Sequence, residues 1–208
     1  MLVEGGLRLI NLHCFIKELK VGGFLLYFKY KEKASIFVNK FLQEALRKCP
    51  SLNRLTIECH PHFDLQRESI ELMKKVKFLE FENGNYIKDT PILKDIADSV
   101  DELQEFVYHL PSPSFGAIEQ EEQEEEKGEK DTAYMLEKHN SSLKNLILKN
   151  TRLATQELSS AIVSCKHLQE LSIEKDNHNA PHSIQPLVTG LRSDQHTKLV
   201  FCRVYFAI

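Results

Sequence analysis

The apolar residues of this chain recur in one short phrase. In CPSLNRLTIECHPHF, from Cys49 to Phe63, they fall at Leu52, Leu55 and Ile57, an LxxLxL spacing. The phrase returns as VKFLEF from Val76, LQEFVY from Leu103, LKNLIL from Leu143, LQELSI from Leu168 and HTKLVF from His196. A weaker copy, GGFLLYFKY, stands upstream with Leu26 and Phe28 in the apolar slots. Alternation within each phrase is the mark of a β-strand, and between phrases the period lengthens to that of an amphipathic helix. SIFVNKFLQEALRK gathers Phe37, Phe41 and Ala45 with Val38, Leu42 and Leu46 on one face, with Ser35 placed to cap it. Thr90 and Pro91 predict the N-cap and first position of a helix bearing Ile92, Ile96 and Val100. Leu158, Ile162 and Cys165 form another such stripe.

The phrases are separated by 24, 27, 40, 25 and 28 residues. The long interval holds EQEEQEEEKGEKD, Glu119 to Asp131, whose eight acidic residues and two lysines give a local charge of −6. Like charges at this density repel and bury nothing, which predicts a disordered loop over 117–131 after the Pro-Ser-Pro-Ser at Pro111 to Ser114. Without those 13 residues the interval becomes 27. The spacing then matches leucine-rich repeats. A strand and a helix cannot each bury an apolar side alone, and stacking of units supplies the core. The expected fold is α/β: a curved leucine-rich-repeat solenoid with parallel strands on the concave face and helices outside. Its longer unit resembles the ribonuclease-inhibitor-like type. The expected organisation is an N-terminal helical segment, 1–21, and a repeat array, 22–208, interrupted by the acidic loop.

The repeated Leu, Ile and Phe residues are structural, so function has to come from the positions between them. Side chains alternate along a strand, and the third, fifth and seventh positions of each phrase therefore point away from the helices. One predicted column runs Tyr27, Thr56, Glu80, Val107, Ile147, Ser172 and Val200. The next runs Lys29, Glu58, Glu82, His109, Lys149, Glu174 and Cys202. Val107 and Ile147 become neighbours if the acidic loop leaves the ladder, and an exposed apolar pair among charges suits a protein-binding site.

Composition narrows the remaining classes. The chain has 208 residues, 42% hydrophobic and 27% charged, in the range of soluble globular proteins. No apolar run approaches the roughly 20 residues of a membrane span, and the first twenty residues lack a signal-peptide pattern. Five scattered cysteines suit reduced thiols, hence a cytoplasmic or nuclear setting, where the sequon Asn140-Ser141-Ser142 goes unused. The phosphate-loop, dinucleotide, nucleophile-elbow and zinc-protease motifs are absent from the sequence, and no cofactor is expected. Cys59-His60-Pro61-His62, even with Cys49, lacks a second ligand pair at zinc spacing, and His178 and His182 flank a loop-like Asn-Ala-Pro. The stretch from Lys17 to Arg54 carries nine basic residues against three Glu, yet the whole chain has a pI near 6.3, against nucleic-acid binding. That basic stretch is instead a candidate surface for the acidic run to cover.

CPSLNRLTIECH and SCKHLQELSIE, each a Cys before LxxLxI, resemble the cysteine-containing repeats of F-box leucine-rich-repeat proteins. GGFLLYFKYKEKASIFVNKFLQEAL and the tail, Ser141 to Asp176 with HTKLVFCRVYF from His196 to Phe206, are similar to the divergent arrays of F-box-only proteins. The resemblance runs from about Gly22 onward. It implies a substrate receptor of an SCF-type ubiquitin ligase, whose array holds a protein target while an F-box docks the cullin-ligase adaptor. MLVEGGLRLINLHCFIKELK shows no F-box phrase, so no adaptor-binding residues carry over, and the apolar end Val204 to Ile208 suggests a truncated array. The competing expectation is the sensing or scaffolding array of a nucleotide-regulated innate-immune receptor, or a stand-alone adaptor.

Overall fold

The computed structural model describes residues 15–21, 31–58, 65–82, 92–109, 118–149, 151, 155–175 and 201–206. Its strands are β1 (Glu18–Val21), β2 (Arg54–Glu58), β3 (Phe78–Glu82), β4 (Glu105–His109), β5 (Asn145–Lys149), β6 (Glu170–Lys175) and β7 (Phe201–Phe206). Its helices are α1 (Lys31–Lys48), α2 (Arg67–Glu71), α3 (Ile92–Ser99), α4 (Ile118–Lys138) and α5 (Gln156–Ser164), with a 3-10 turn, Met73–Lys75, after α2. The seven strands form one sheet in sequence order, every neighbouring pair parallel. Parallel neighbours need a crossover, and α1 to α5 are crossovers of this kind. The result is a repeat-like α/β architecture.

Each apolar phrase does the same work in its unit. Leu55 and Ile57, Leu79 and Phe81, Phe106 and Tyr108, Leu146 and Leu148, and Leu171 and Ile173 form two buried rows across the sheet. They join one core with Val38 and Leu42 of α1, Ile70 of α2, Ile92 and Ile96 of α3, Met135 and Leu136 of α4, and Leu158 and Ile162 of α5. Burying a side chain of this size contributes about 1.5–3 kcal/mol. The leading residues Leu52, Val76, Leu103, Leu143 and Leu168 are buried below the strands. Just after each leading position a carbonyl (Lys17, Asn53, Lys77, Gln104, Lys144) accepts two N–H groups from the following unit at 2.7–3.1 Å. Each unit is thus tied to the one before it by the same backbone pair.

The structure corrects several expectations. Within the segment 1–21 expected to be helical, Glu18–Val21 is a strand, and IKELKV places Ile16, Leu19 and Val21 at the phrase spacing. GGFLLYFKY lies outside the described residues, as do Thr90 and Pro91. Ser35 does not cap α1: it is buried inside the helix, and its carbonyl accepts from Asn39 Nδ2 at 3.0 Å.

The acidic run is not a disordered loop but the body of α4. Glu, Gln and Lys are good helix formers, and carboxylates in the first turns complement the helix dipole. The second half is held down by buried Ala133, Met135 and Leu136. The added residues lengthen the crossover, and β4 and β5 still pair directly, Val107 opposite Ile147.

The last strand also departs from expectation. Arg203 stands beside Ser172 and Tyr205 beside Glu174, while Cys202 stands beside Leu171. Cys202 is therefore in register with Leu171 and not with Glu174, and Val204 stands opposite Ile173. Val200 lies outside the described residues.

Candidate interaction face

The face of the sheet away from the helices carries three rows of side chains. The first is internally occupied. Arg54 reaches Glu105 Oε1 at 2.6 Å and Glu18 at 3.3 Å, and its guanidinium lies 4.3 Å from the centre of the Phe78 ring. Asn145 Nδ2 donates to Glu105 Oε2 at 3.4 Å. The row thus knits β1 to β5, and the Glu105 carboxylate raises the pKa of Arg54 above its usual value. These residues stabilise the sheet rather than await a partner. The LxxLxL spacing placed them on this face, but only the register shows that they satisfy one another.

The second and third rows contain the predicted columns. Lys20, Thr56, Glu80, Val107, Ile147 and Ser172 stand side by side from β1 to β6. In the row beyond them Glu58 is beside Glu82, His109 beside Lys149, and Lys149 beside Glu174. Tyr27 and Lys29 lie outside the described residues, and the place next to Thr56 is held by Lys20. Of the other twelve residues in the two predicted columns, ten fall on this face, Val200 lies outside the described residues, and Cys202 stands in register with Leu171.

Their environments differ. Lys20 Nζ binds both Glu82 oxygens at 2.6 and 2.7 Å, across the strand between them, and this carboxylate raises the lysine pKa. Thr56 Oγ1 donates to Glu80 at 3.1 Å. Glu58, Lys149 and Glu174 make no ion pair with other described residues. His109 is pushed below the usual imidazole range, first by burial and then by the positive charge of Lys149. Its Nε2 is shielded from solvent with no hydrogen-bond partner among the described residues.

The apolar pair is not as exposed as expected. Val107 is 7% exposed, whereas Ile147 is half-buried. A short branched side chain flanked at strand spacing by Glu80 and Ile147 has little surface left to show. Among the described residues of the second and third rows the half-buried apolar side chain is therefore Ile147, within a set of two lysines (Lys20, Lys149) and four glutamates (Glu58, Glu80, Glu82, Glu174), a net negative charge, while half-buried Phe78 in the first row lies under Arg54.

Ser172 and His109 share this face but stand two strands and one row apart, roughly 12 Å between backbones, beyond the reach of a nucleophile and its base. Among the described residues no group of three His, Cys, Asp or Glu has metal-binding geometry, and no helix is long and apolar enough to cross a membrane. The tempting Cys59-His60-Pro61-His62 cluster, like His178 and His182, lies outside the described residues. Cys49 and Cys165 are buried thiols in no disulfide, and burial pushes the Cys165 thiol up to about 12.

No protein-family model matches the chain, and no curated protein matches it. Among solved structures it is similar to a tropomodulin C-terminal domain from Caenorhabditis elegans, with 7% identity over 91% of this chain and 90% of that one and a TM-score of 0.37. A likeness at this level carries no argument about function.

Proposed function

We propose that the chain is a leucine-rich-repeat array of the ribonuclease-inhibitor-like type and a non-catalytic protein-interaction module. A protein partner lies across β2 to β6 on the face away from the helices. The observation that carries this reading is the division of labour on that face: the first row satisfies itself, while Glu58, Lys149, Glu174 and Ile147 stand in register in the other two. An apolar residue ringed by charges is the usual make-up of a protein contact, with the centre giving affinity and the charges orientation. The excess of carboxylates favours a basic partner segment.

The biological role proposed is substrate recognition for an SCF-type ubiquitin ligase in the cytoplasm or nucleus. That step rests on the resemblance of CPSLNRLTIECH and SCKHLQELSIE to F-box leucine-rich-repeat proteins. The test has two arms. Proteins captured by the full chain are identified by cross-linking mass spectrometry, and capture is repeated with the triple variant Glu58→Lys/Glu82→Lys/Glu174→Lys and with Ile147→Asp. Cross-links on β2 to β6, with capture reduced at least tenfold by both variants, support the face. Cross-links confined to the helices overturn it. Purified cullin-ligase adaptor is then mixed with the full chain, and absence of binding at micromolar concentration removes the ligase role while leaving the face intact.

A further inference from the structure

A second surface lies at the edge of the sheet where the strands begin. There a cavity of about 300 Å³ opens between the end of α1 and the turn that follows α2. Buried Cys49, Leu52 and Val76 form its floor, and half-buried Leu46 and Leu72 form its walls. The cavity follows a seam in the packing: Ala45, Cys49 and Leu52 make an apolar cluster separate from the main core to which Val76 belongs. α1 has 18 residues and α2 five, so the shorter helix leaves the end of the longer one without a full-length neighbour. Apolar surface on Leu46 and Leu72 is thus left for a guest to cover, in a volume at the lower end for ligand sites.

The charges on the rim decide the class of guest. Arg47, Glu71, Lys74 and Lys75 give it a net charge of +2. The carboxylates beside these cations are engaged: Glu71 binds Arg67 at 3.2 Å, and Glu44 binds Lys48 at 2.8 Å and reaches Arg47 only at 3.6 Å. Arg47 also stands in the last turn of α1, where a cation complements the helix dipole. Lys74 and Lys75 belong to a three-residue 3-10 turn with little dipole to offset; both are exposed and make no ion pair among the described residues. Two adjacent ammonium groups beside an apolar hollow suit a ligand with an anionic head and an apolar body, because a floor that excludes water strengthens the attraction between charges above it.

We propose that this cavity binds a small organic phosphate or carboxylate, with its apolar body against Leu52, Leu72 and Val76 and its anionic head at Lys74 and Lys75. The site lies outside the face assigned to a protein partner, so either assignment can fail alone.

The experiment is a titration of the isotope-labelled full chain, followed through its amide NMR signals, with phenyl phosphate, phenol and inorganic phosphate as separate probes. The expected result is saturable movement of amides within 46–52 and 71–76 on adding phenyl phosphate. Phenol, which lacks the anion, and inorganic phosphate, which lacks the apolar body, each bind at least tenfold more weakly. Lys74→Gln/Lys75→Gln weakens phenyl phosphate at least tenfold while the amides of β4 to β6 keep their positions, the sign that the fold is intact. Lys144→Gln/Lys166→Gln, which alters two exposed lysines elsewhere, leaves the affinity unchanged. Absence of saturable movement at millimolar phenyl phosphate overturns the proposal, as does movement centred outside the two segments or an unchanged affinity in the Lys74 and Lys75 variant. Inorganic phosphate binding as tightly as phenyl phosphate overturns it by reducing the site to an adventitious anion contact. A hexaglutamate peptide that saturates the same amides more tightly than phenyl phosphate overturns it in favour of an acidic protein segment.

Discussion

His139 shows how a single side chain couples folding to pH. It lies just past α4, 3% exposed, and burial holds its pKa below the usual imidazole value against the opposing pull of the Ala97 backbone and Asp98. Its Nε2 is buried without a hydrogen-bond partner among the described residues. A depressed folded-state pKa means that the unfolded chain takes up the proton first. Stability is therefore complete above the unfolded value near 6.5 and is lost as pH falls below it toward the folded pKa, by at most about 1.4 kcal/mol per pH unit for each such group. His109 shifts in the same direction, with Lys149 opposing protonation and Glu80, Glu82 and Glu174 favouring it. The urea midpoint is expected to be lower at pH 5.5 than at pH 8. His139→Gln is expected to narrow that difference, and an unchanged gap in the variant would show that the buried imidazole is not its source.

The helices are joined to one another by a device that the apolar pattern did not reveal. Asn39, buried in α1, accepts through Oδ1 from the Gln66 N–H at 2.9 Å and from Ser69 Oγ at 2.8 Å, just where α2 begins. Glu129, buried in α4, accepts from the Thr155 N–H at 2.8 Å, from Thr155 Oγ1 at 2.9 Å and from Thr151 Oγ1 at 3.1 Å, just where α5 begins. Thr155 in turn caps α5 by accepting from the Leu158 N–H. In both cases a polar side chain of one helix satisfies the exposed donors at the start of the next. Glu129→Ala is expected to cost about 2–3 kcal/mol and Thr155→Ala about 1 kcal/mol, the double variant costing less than the sum because the two share a network. Additive losses in chemical denaturation would show that they act separately. The charge run hid Glu129: counted among eight acidic residues it reads as solvated, yet it is 0% exposed. Residue type gave the local charge correctly, but which carboxylate turns inward depends on the helix phase, and that is set by Ala133 and Leu136 farther along.

Across the whole sheet, legibility followed the strength of the local period. Five phrases from Leu52 to Leu168 lie where the LxxLxL spacing put them, because a one-residue slip moves a strand's apolar set off the core. At the ends the pattern was weaker: IKELKV, not singled out, supplies β1 with Ile16, Leu19 and Val21 at the phrase spacing, and the register of Phe201–Phe206 departs from the one HTKLVF suggested. The occupied first row of the open face was beyond local reading, since Arg54 and Glu105 are 51 residues apart and meet only through stacking. That stacking also governs how a defect spreads. Each strand is hydrogen-bonded only to its sequence neighbours, so a cavity in one unit weakens chiefly the two interfaces beside it. Leu146, 0% exposed in β5 between Phe106 and Leu171, is the place to create one. Leu146→Ala is expected to cost about 3–5 kcal/mol. Native-state hydrogen exchange is expected to accelerate most on β4 to β6 and least on β2 and β3. Uniform acceleration of all strands would mean that the sheet opens as one cooperative body, with the neighbour-by-neighbour coupling too strong for any unit to yield alone.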